Sequence, residues 1–157
     1  MRSYKEKFMR LAIDLALENI QNGGGPFGAV IVKDGEVVAT GCNRVTASCD
    51  PTAHAEVVAI RQACNKLGTY QLTDCDIYTS CEPCPMCLGA IYWARPKRVI
   101  YANTREEAAA IEFDDDFIYG EIIAKMEDRK IPFLHLPHPM AKEVFEAWKN
   151  WEGKIKY

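Results

Sequence analysis

Ile77-Tyr-Thr-Ser80, continued by Cys81-Glu-Pro-Cys-Pro-Met-Cys87, is the stretch of sequence that decides the fold. The four residues before Cys81 predict a short buried strand. Pro85 is typical of the first turn of a helix, and that helix should end before Pro96, because the residue ahead of a proline is displaced from the α region. A strand therefore runs almost directly into a helix, with cysteines at the junction.

The rest of the sequence continues this alternation of strands and helices. A capping box at Ser3–Glu6 predicts a first helix that stops at Gly23, and Asp34-Gly35 indicates a two-residue hairpin. The other predicted elements are strands at 27–33, 36–43, 99–102 and 131–136, helices at 54–67, 118–126 and 141–150, and a second capping box at 104–107. Because the hairpin adds an antiparallel pair, we expect an α/β protein: a three-layer α/β/α sandwich around a mixed five-stranded sheet.

Length and charge narrow the class of protein. With 157 residues, 48% of them hydrophobic, the chain can fill one core, so we expect a single domain over 1–157. Its 19 basic and 22 acidic residues give a net charge of −3. This balance argues against nucleic acid as the main partner, because nucleic-acid-binding proteins usually carry a basic face. The apolar runs are too short to cross a bilayer, so no membrane partner is expected.

The cysteines indicate the compartment. The chain has seven, an odd number, and residues 1–21 mix charges with apolar residues at helical spacing, unlike a signal peptide. Clustered thiols without a secretory signal are typical of a reducing compartment, where they bind metal or stay free. We therefore expect a cytoplasmic protein.

His54-Ala55-Glu56 and the Cys84-x-x-Cys87 pair predict a catalytic metal site. Cys84 and Cys87 lie three residues apart in the first turn of a helix, so both thiols face one side, and a helix N-terminus favours the thiolate that binds metal. With His54 they form a nitrogen–sulfur donor set suited to Zn²⁺. Three protein ligands leave a coordination position open, and Glu56 supplies a carboxylate for general acid–base catalysis.

Several alternatives remain open for these residues. The cysteine pair could be buried and structural, and Cys81 could complete a closed zinc site, although its extended backbone favours a lining or packing role. Residues i and i+2 of a helix face different directions, so His54 and Glu56 can meet only if His54 lies at or before the N-cap. Glu56 could also be a fourth ligand. The non-enzyme alternative is a zinc-stabilised binding domain without turnover, and an intact Glu56 argues against it, because a structural site has no need for a carboxylate beside the metal.

The spacing H-x-E…P-C-x-x-C is the signature of zinc nucleobase deaminases. Around it the chain carries five segments that extend the similarity: Gly25–Val32, Asn43, Asp50–Glu56, Thr79–Cys87 and Leu88–Pro96. On these residues the chain resembles the cytidine-deaminase-like superfamily, and within it the bacterial guanine deaminases. The resemblance implies a cytidine-deaminase-like fold, a zinc cofactor and hydrolytic deamination of guanine to xanthine and ammonia, a reaction of purine metabolism.

The same resemblance implies roles for individual residues. Glu56 shuttles protons between water, a ring nitrogen and the leaving amine, and Asp115 assists at the exocyclic amine. Three consecutive aspartates leave the register open by one residue, so Asp114 is the alternative. The residues expected to hold the base are Phe27, Asn43, Ala55 through its backbone N–H, Trp93, Asp115 and Tyr157.

The C-terminal segment, about 139–157, is expected to cap the active site, with Tyr157 closing the pocket. In enzymes of this kind the segment can cross to a partner subunit, so the resemblance implies a homodimer with exchanged C-terminal segments. The rival functions are a tRNA adenosine deaminase, which shares the zinc motif but acts on a flipped base, and deaminases of guanosine or cytosine.

Overall fold

The computed structural model describes residues 5–113 and 115–157. The predictions that fall on Ser3 and Asp114 lie outside this part of the chain. Two compact units divide the molecule, Met1–Asp116 and Phe117–Tyr157. The single domain predicted for 1–157 stays a prediction.

The first unit is built on a mixed sheet. Its strands are β1 Gly28–Lys33, β2 Glu36–Cys42, β3 Cys75–Cys81 and β4 Arg98–Asn103, in the order β2-β1-β3-β4. β1 pairs antiparallel with β2 and β3, whereas β3 and β4 are parallel. The Arg98 guanidinium bonds both oxygens of Asp76 at 2.8 Å and thereby marks the β3–β4 register.

Helices cover both faces of this sheet, as the sequence predicts. The helices are α1 Glu6–Gln21, α2 Val45–Ser48, α3 Ala55–Leu67, α4 Pro85–Ala94 and α5 Arg105–Ala109. Side chains alternate across β1, so Val30 packs with Phe8 of α1 on one face while Ile31 joins the core with Ala59 of α3 and Ile91 of α4 on the other. Because β1 is buried on both faces, its sequence is a continuous run of apolar residues and not an alternating pattern. The three-layer α/β/α architecture of the cytidine-deaminase-like fold is confirmed.

Two local predictions from the sequence also hold. Asp34 and Gly35 have φ values of 51° and 82°, as a hairpin turn twisted to match its strands requires. Thr104 and Glu107 form a complete capping box at the start of α5.

A glycine is required at position 41 of β2, because a Cβ there would collide with the carbonyl oxygen of Ala55. Gly41 thus allows the first turn of α3 to lie directly against the sheet.

The second unit is helical. It contains most of α6 Asp116–Ile123, a 3-10 helix at Met126–Asp128, and α7 Pro139–Asn150. The strand predicted at Ile131–Leu136 is wrong, so the described residues form a four-stranded sheet and not the expected five-stranded one. Pro132 removes a backbone donor that a ladder would need. Across the described ranges, no helix combines the length and the apolar character needed to span a bilayer.

Candidate active site

His54 lies immediately before α3, with extended backbone angles of φ −70° and ψ 156°. Its side chain is therefore outside the helical period, as the spacing to Glu56 requires. A hydrogen-bonded turn leads into it: the Asp50 carboxylate accepts from the backbone N–H and the hydroxyl of Thr52 at 2.8 and 2.7 Å. The His54 N–H then donates to the carbonyl oxygen of Thr52 at 2.8 Å.

Cys84 occupies the corresponding place before α4. It is the N-cap residue, with φ −66° and ψ 168°, and Pro85 stands in the first turn as predicted. The Cys84 sulfur accepts a hydrogen bond from the backbone N–H of Cys87 at 3.5 Å. Both thiols consequently lie at one helix N-terminus, where backbone N–H groups favour the thiolate.

The two helix starts bring three donor atoms together. His54 Nδ1 lies 3.5 Å from Cys84 Sγ and 3.6 Å from Cys87 Sγ, and the ligand atoms of all three residues lie within 4.8 Å of one another. Hydrogen bonds from the Cys87 and His54 side chains lower the pKa of Cys84 to about 4, whereas the bond to Cys84 and burial raise the pKa of Cys87. One imidazole and two thiols are a donor set that fits Zn²⁺.

Glu56 lies beside this donor set inside the protein. It is 6% exposed, and one of its carboxylate oxygens accepts a hydrogen bond from the Cys87 thiol at 3.4 Å. Burial raises the pKa of Glu56. A buried carboxylate with a raised pKa next to a metal-ligating group is the environment expected of an acid–base residue.

Cys81 is close to the site but directed elsewhere. Its thiol lies within hydrogen-bonding distance of the carbonyl oxygen of Thr104, at 3.6 Å, and burial raises its pKa to about 11. Among the described residues, the group that could hold a metal consists of His54, Cys84 and Cys87, without Cys81. This placement agrees with the predicted lining role.

A cavity of about 570 Å³ opens onto His54 and Glu56. That volume falls within the roughly 300–1,000 Å³ typical of small-molecule sites. Its walls come entirely from the first unit and combine two aromatic rings with polar and charged groups. The lining residues are Gly23–Gly25, Phe27, Asn43, Val45, Thr46, His54, Glu56, Cys81, Glu82, Cys84, Arg105, Ala108, Glu112, Phe113 and Asp115.

Three of the predicted base-holding residues line this cavity: Phe27, Asn43 and Asp115. The Phe27 ring meets the Phe113 ring edge-to-face, with centroids 4.9 Å apart. Asn43 is 8% exposed, and its side-chain oxygen accepts a hydrogen bond from the Val45 N–H at 3.2 Å. An aromatic wall and an oriented amide thus face the same space as Glu56.

The other predicted residues lie differently. Ala55 is fully buried at the start of α3, and Trp93 on α4 is 63% exposed, so neither is among the described residues that line the cavity. Tyr157 belongs to the second unit, and Asp114 lies outside the described residues. Their roles stay predictions.

Sequence reasoning missed Phe113, Glu82 and Arg105 as individual lining residues. Phe113 lies two residues before Asp115, which the resemblance already assigns to the substrate, so Asp115 was an available signal. Glu82 and Arg105 gave no comparable signal. Their contact, from the Arg105 N–H to a Glu82 carboxylate oxygen at 3.2 Å, joins residues 23 positions apart.

The family follows from these features together with a direct match. Residues 2–103 match the model of the cytidine and deoxycytidylate deaminase zinc-binding region. The chain belongs to this deaminase family.

Particular members of the family are similar over different lengths. The guanine deaminase of Bacillus subtilis is 58% identical over 97% of this chain and 98% of its own length. Its crystal structure superposes with a TM-score of 0.96 at 57% identity, covering 99% of both chains. A guanine deaminase structure from Nitrosomonas europaea has a TM-score of 0.69 at 34% identity, over 72% of this chain and 66% of that one. A tRNA-specific adenosine deaminase of Aquifex aeolicus is 42% identical, over 62% of this chain and 65% of its own.

Proposed function

We propose that this protein is a zinc-dependent guanine deaminase, which converts guanine and water to xanthine and ammonia. The observation that carries the proposal is the buried Glu56 carboxylate beside a three-residue donor set, in a cavity of the size a purine needs. The near full-length similarity to the Bacillus subtilis guanine deaminase supports guanine as the base.

The zinc ion would be held by His54, Cys84 and Cys87. The nitrogen and two sulfur donors fit it, and the lowered pKa of Cys84 favours the charged ligand form. When bound, zinc supplies Lewis-acid chemistry that lowers the pKa of water to about 7. Three protein ligands match a catalytic site, which keeps a position open.

Glu56 carries the protons. Its carboxylate takes one from the attacking water and passes it to N3 of guanine as the water oxygen bonds to C2. The C2–N bond of the exocyclic amine then breaks, after Glu56 transfers the second water proton to the amine. Asp115, on the cavity wall, assists by accepting a hydrogen bond from that amine. The products, xanthine and ammonia, balance one guanine and one water.

The base lies against Phe27, with Asn43 at its edge. Because the Asn43 side-chain oxygen accepts from the Val45 N–H, its NH₂ group is oriented as a donor for a ring acceptor. From the family resemblance we also propose roles in binding the base for the backbone N–H of Ala55, for Trp93 and for Tyr157, which are not among the described cavity-lining residues. Most of this recognition comes from loops, which commonly carry binding residues on a rigid scaffold.

We further propose a cytoplasmic homodimer in which the C-terminal segment, about 139–157, caps the active site of the partner. All seven cysteines are free thiols, as a reducing compartment requires. The exchange can be tested by mixing a Glu56→Gln chain with a Tyr157→Ala chain. Exchanged tails would restore one complete site and raise the activity above that of either variant alone, whereas tails kept on their own subunit would restore none.

The function is tested with a panel of substrates: guanine, adenine, cytosine, guanosine and an anticodon stem-loop RNA with a wobble adenosine. We expect ammonia release from guanine alone, with xanthine as product. The Aquifex aeolicus relative makes tRNA adenosine the rival. Turnover of the RNA, with an affinity that falls steeply with salt, would establish that rival instead. Absence of turnover on every substrate by zinc-loaded protein would refute deamination.

A further inference from the structure

The base-facing wall of the cavity is tied together by a residue that does not itself line it. Asn19 lies in the last turn of α1, and its side-chain NH₂ group donates to the carbonyl oxygens of Gly25 and Asn43, each at 2.8 Å. Both acceptors are carbonyl oxygens, so the amide orientation is determined by chemistry: only the NH₂ end can make both bonds. One side chain therefore joins two loops that are separate in sequence.

The surrounding backbone bonds close the same unit. The Asn19 carbonyl oxygen accepts from the Gly24 N–H at 2.8 Å, and the Asn43 N–H donates to the Phe27 carbonyl oxygen at 3.2 Å. These bonds connect the end of α1, the loop over Gly23–Gly25 and the end of β2. Phe27 and Asn43, the two groups proposed to hold the base, are thereby fixed relative to each other.

The glycines are explained by the same side chain. A Cβ at Gly24 would collide with the Asn19 amide, and a Cβ at Gly25 would lie 3.1 Å from the Asn43 side-chain carbon. Small residues here allow the two amides to lie against the loop backbone. This loop lines the cavity over Gly23–Gly25, so its position affects the room available to the base.

We propose that Asn19 is a positioning residue for purine binding, which acts by holding Phe27 and Asn43 in register. The inference rests on the proposed guanine deamination. Asn19 has no bond to His54, Glu56, Cys84 or Cys87 among the described hydrogen bonds, so its contribution concerns substrate affinity more than proton transfer or zinc binding.

The test is Asn19→Asp, which keeps the shape but replaces the donor with a carboxylate that faces two carbonyl oxygens. We expect KM for guanine to rise by about tenfold or more, the effect of losing one or two hydrogen bonds, while kcat changes by less than about threefold. Zinc content should remain equal to that of the wild type. Asn65→Asp is the matched control, because Asn65 is exposed on α3 and has no side-chain hydrogen bond among the described residues.

Hydrogen–deuterium exchange gives a readout that does not depend on the substrate. In zinc-loaded Asn19→Asp, the peptides over 22–28 and 43–46 should exchange faster than in the wild type, whereas Asn65→Asp should leave them unchanged. If wild-type protein fails on guanine but this exchange result holds, Asn19 does hold the two loops together and the proposed substrate is wrong. Unchanged exchange, or faster exchange with unchanged KM on a turned-over guanine, would overturn the role of Asn19. Asn19→Ala provides the same comparison if the aspartate variant does not fold.

Discussion

Two groups of residues at the cavity are held in different ways. The metal side consists of the candidate zinc ligands His54, Cys84 and Cys87 with Glu56, and the base-facing side consists of Phe27, Asn43 and the loop over Gly23–Gly25. His54 and Cys84 each occupy the N-cap of a helix that packs on the central sheet, so regular structure fixes them. The base-facing side consists of loops and strand ends, held by side-chain bonds such as those of Asn19. The proposed reaction chemistry would therefore depend on regular structure, whereas the proposed choice of base would depend on local side-chain contacts.

The sharpest way to break this comparison is Glu56→Gln, on the metal side. Removing the ionisable oxygen eliminates proton transfer but keeps the shape of the buried side chain. We expect kcat for guanine to fall by about 10³-fold or more. Zinc content, measured by metal analysis, should remain that of the wild type.

Glu36→Gln is the matched control for this change, because Glu36 is exposed on the hairpin. It should keep full activity. Normal turnover by zinc-loaded Glu56→Gln would remove the acid–base assignment, and loss of zinc from that variant would instead make Glu56 a ligand.

Asp115→Ala tests whether a residue from an irregular segment of the cavity wall also takes part in the proposed chemistry. Asp115 lines the same cavity as His54 but comes from an irregular segment. We expect kcat for guanine to fall by about 10²-fold, because assistance at the leaving amine is lost, with no change in zinc content. Steady-state ammonia release and metal analysis provide both readouts.

Asp116→Ala is its control. The Asp116 side chain is 72% exposed and lies 3.9 Å from Arg105, a type of surface pair that contributes little. Its activity should change by less than about twofold. A large loss in Asp114→Ala, with normal Asp115→Ala, would move the assisting role by one residue.

The sequence was sufficient for the scaffold where local signals agree. The hairpin at Asp34-Gly35, the capping box at Thr104 and the N-terminal proline of α4 all coincide with the structure. Each of these depends on a few adjacent residues. The strand at Ile131–Leu136 was wrong because a short apolar run contains no information about whether a neighbouring strand is present to pair with it.

The site shows the same difference between residues that local sequence signals predict and residues that only contacts between distant positions reveal. His54, Glu56, Cys84 and Cys87 were accessible because metal ligation and proton transfer permit few residue types at few spacings. Asn19 and Arg105 were not, since an asparagine in a helix or an arginine in a capping box has many ordinary roles. The contacts that they make join distant positions, 24 residues apart for Asn19 and Asn43 and 23 apart for Arg105 and Glu82.

The smallest expected effect concerns the turn that presents His54. Asp50 accepts two bonds from Thr52, and Arg61 of α3 reaches both, at 3.5 Å from the Asp50 carboxylate and 3.3 Å from the Thr52 hydroxyl. Asp50→Ala should loosen this turn and so broaden the range of His54 orientations. We expect zinc to transfer to a chromogenic chelator roughly 3- to 10-fold faster, less than the 10- to 100-fold typical of groups bonded directly to a ligand.

With zinc in excess, kcat of Asp50→Ala should stay within about twofold of wild type, because Glu56 and the base-facing residues are unchanged. Asp14→Ala is a matched control: Asp14 also pairs with an exposed arginine, Arg10 at 2.9 Å, but on α1, where it takes no part in the turn before His54. Arg61→Ala should reproduce the faster zinc transfer in weaker form. Equal transfer rates in Asp50→Ala and Asp14→Ala would show that the packing of α3 on the sheet alone holds the histidine, and the metal side would then be rigid without any loop contribution.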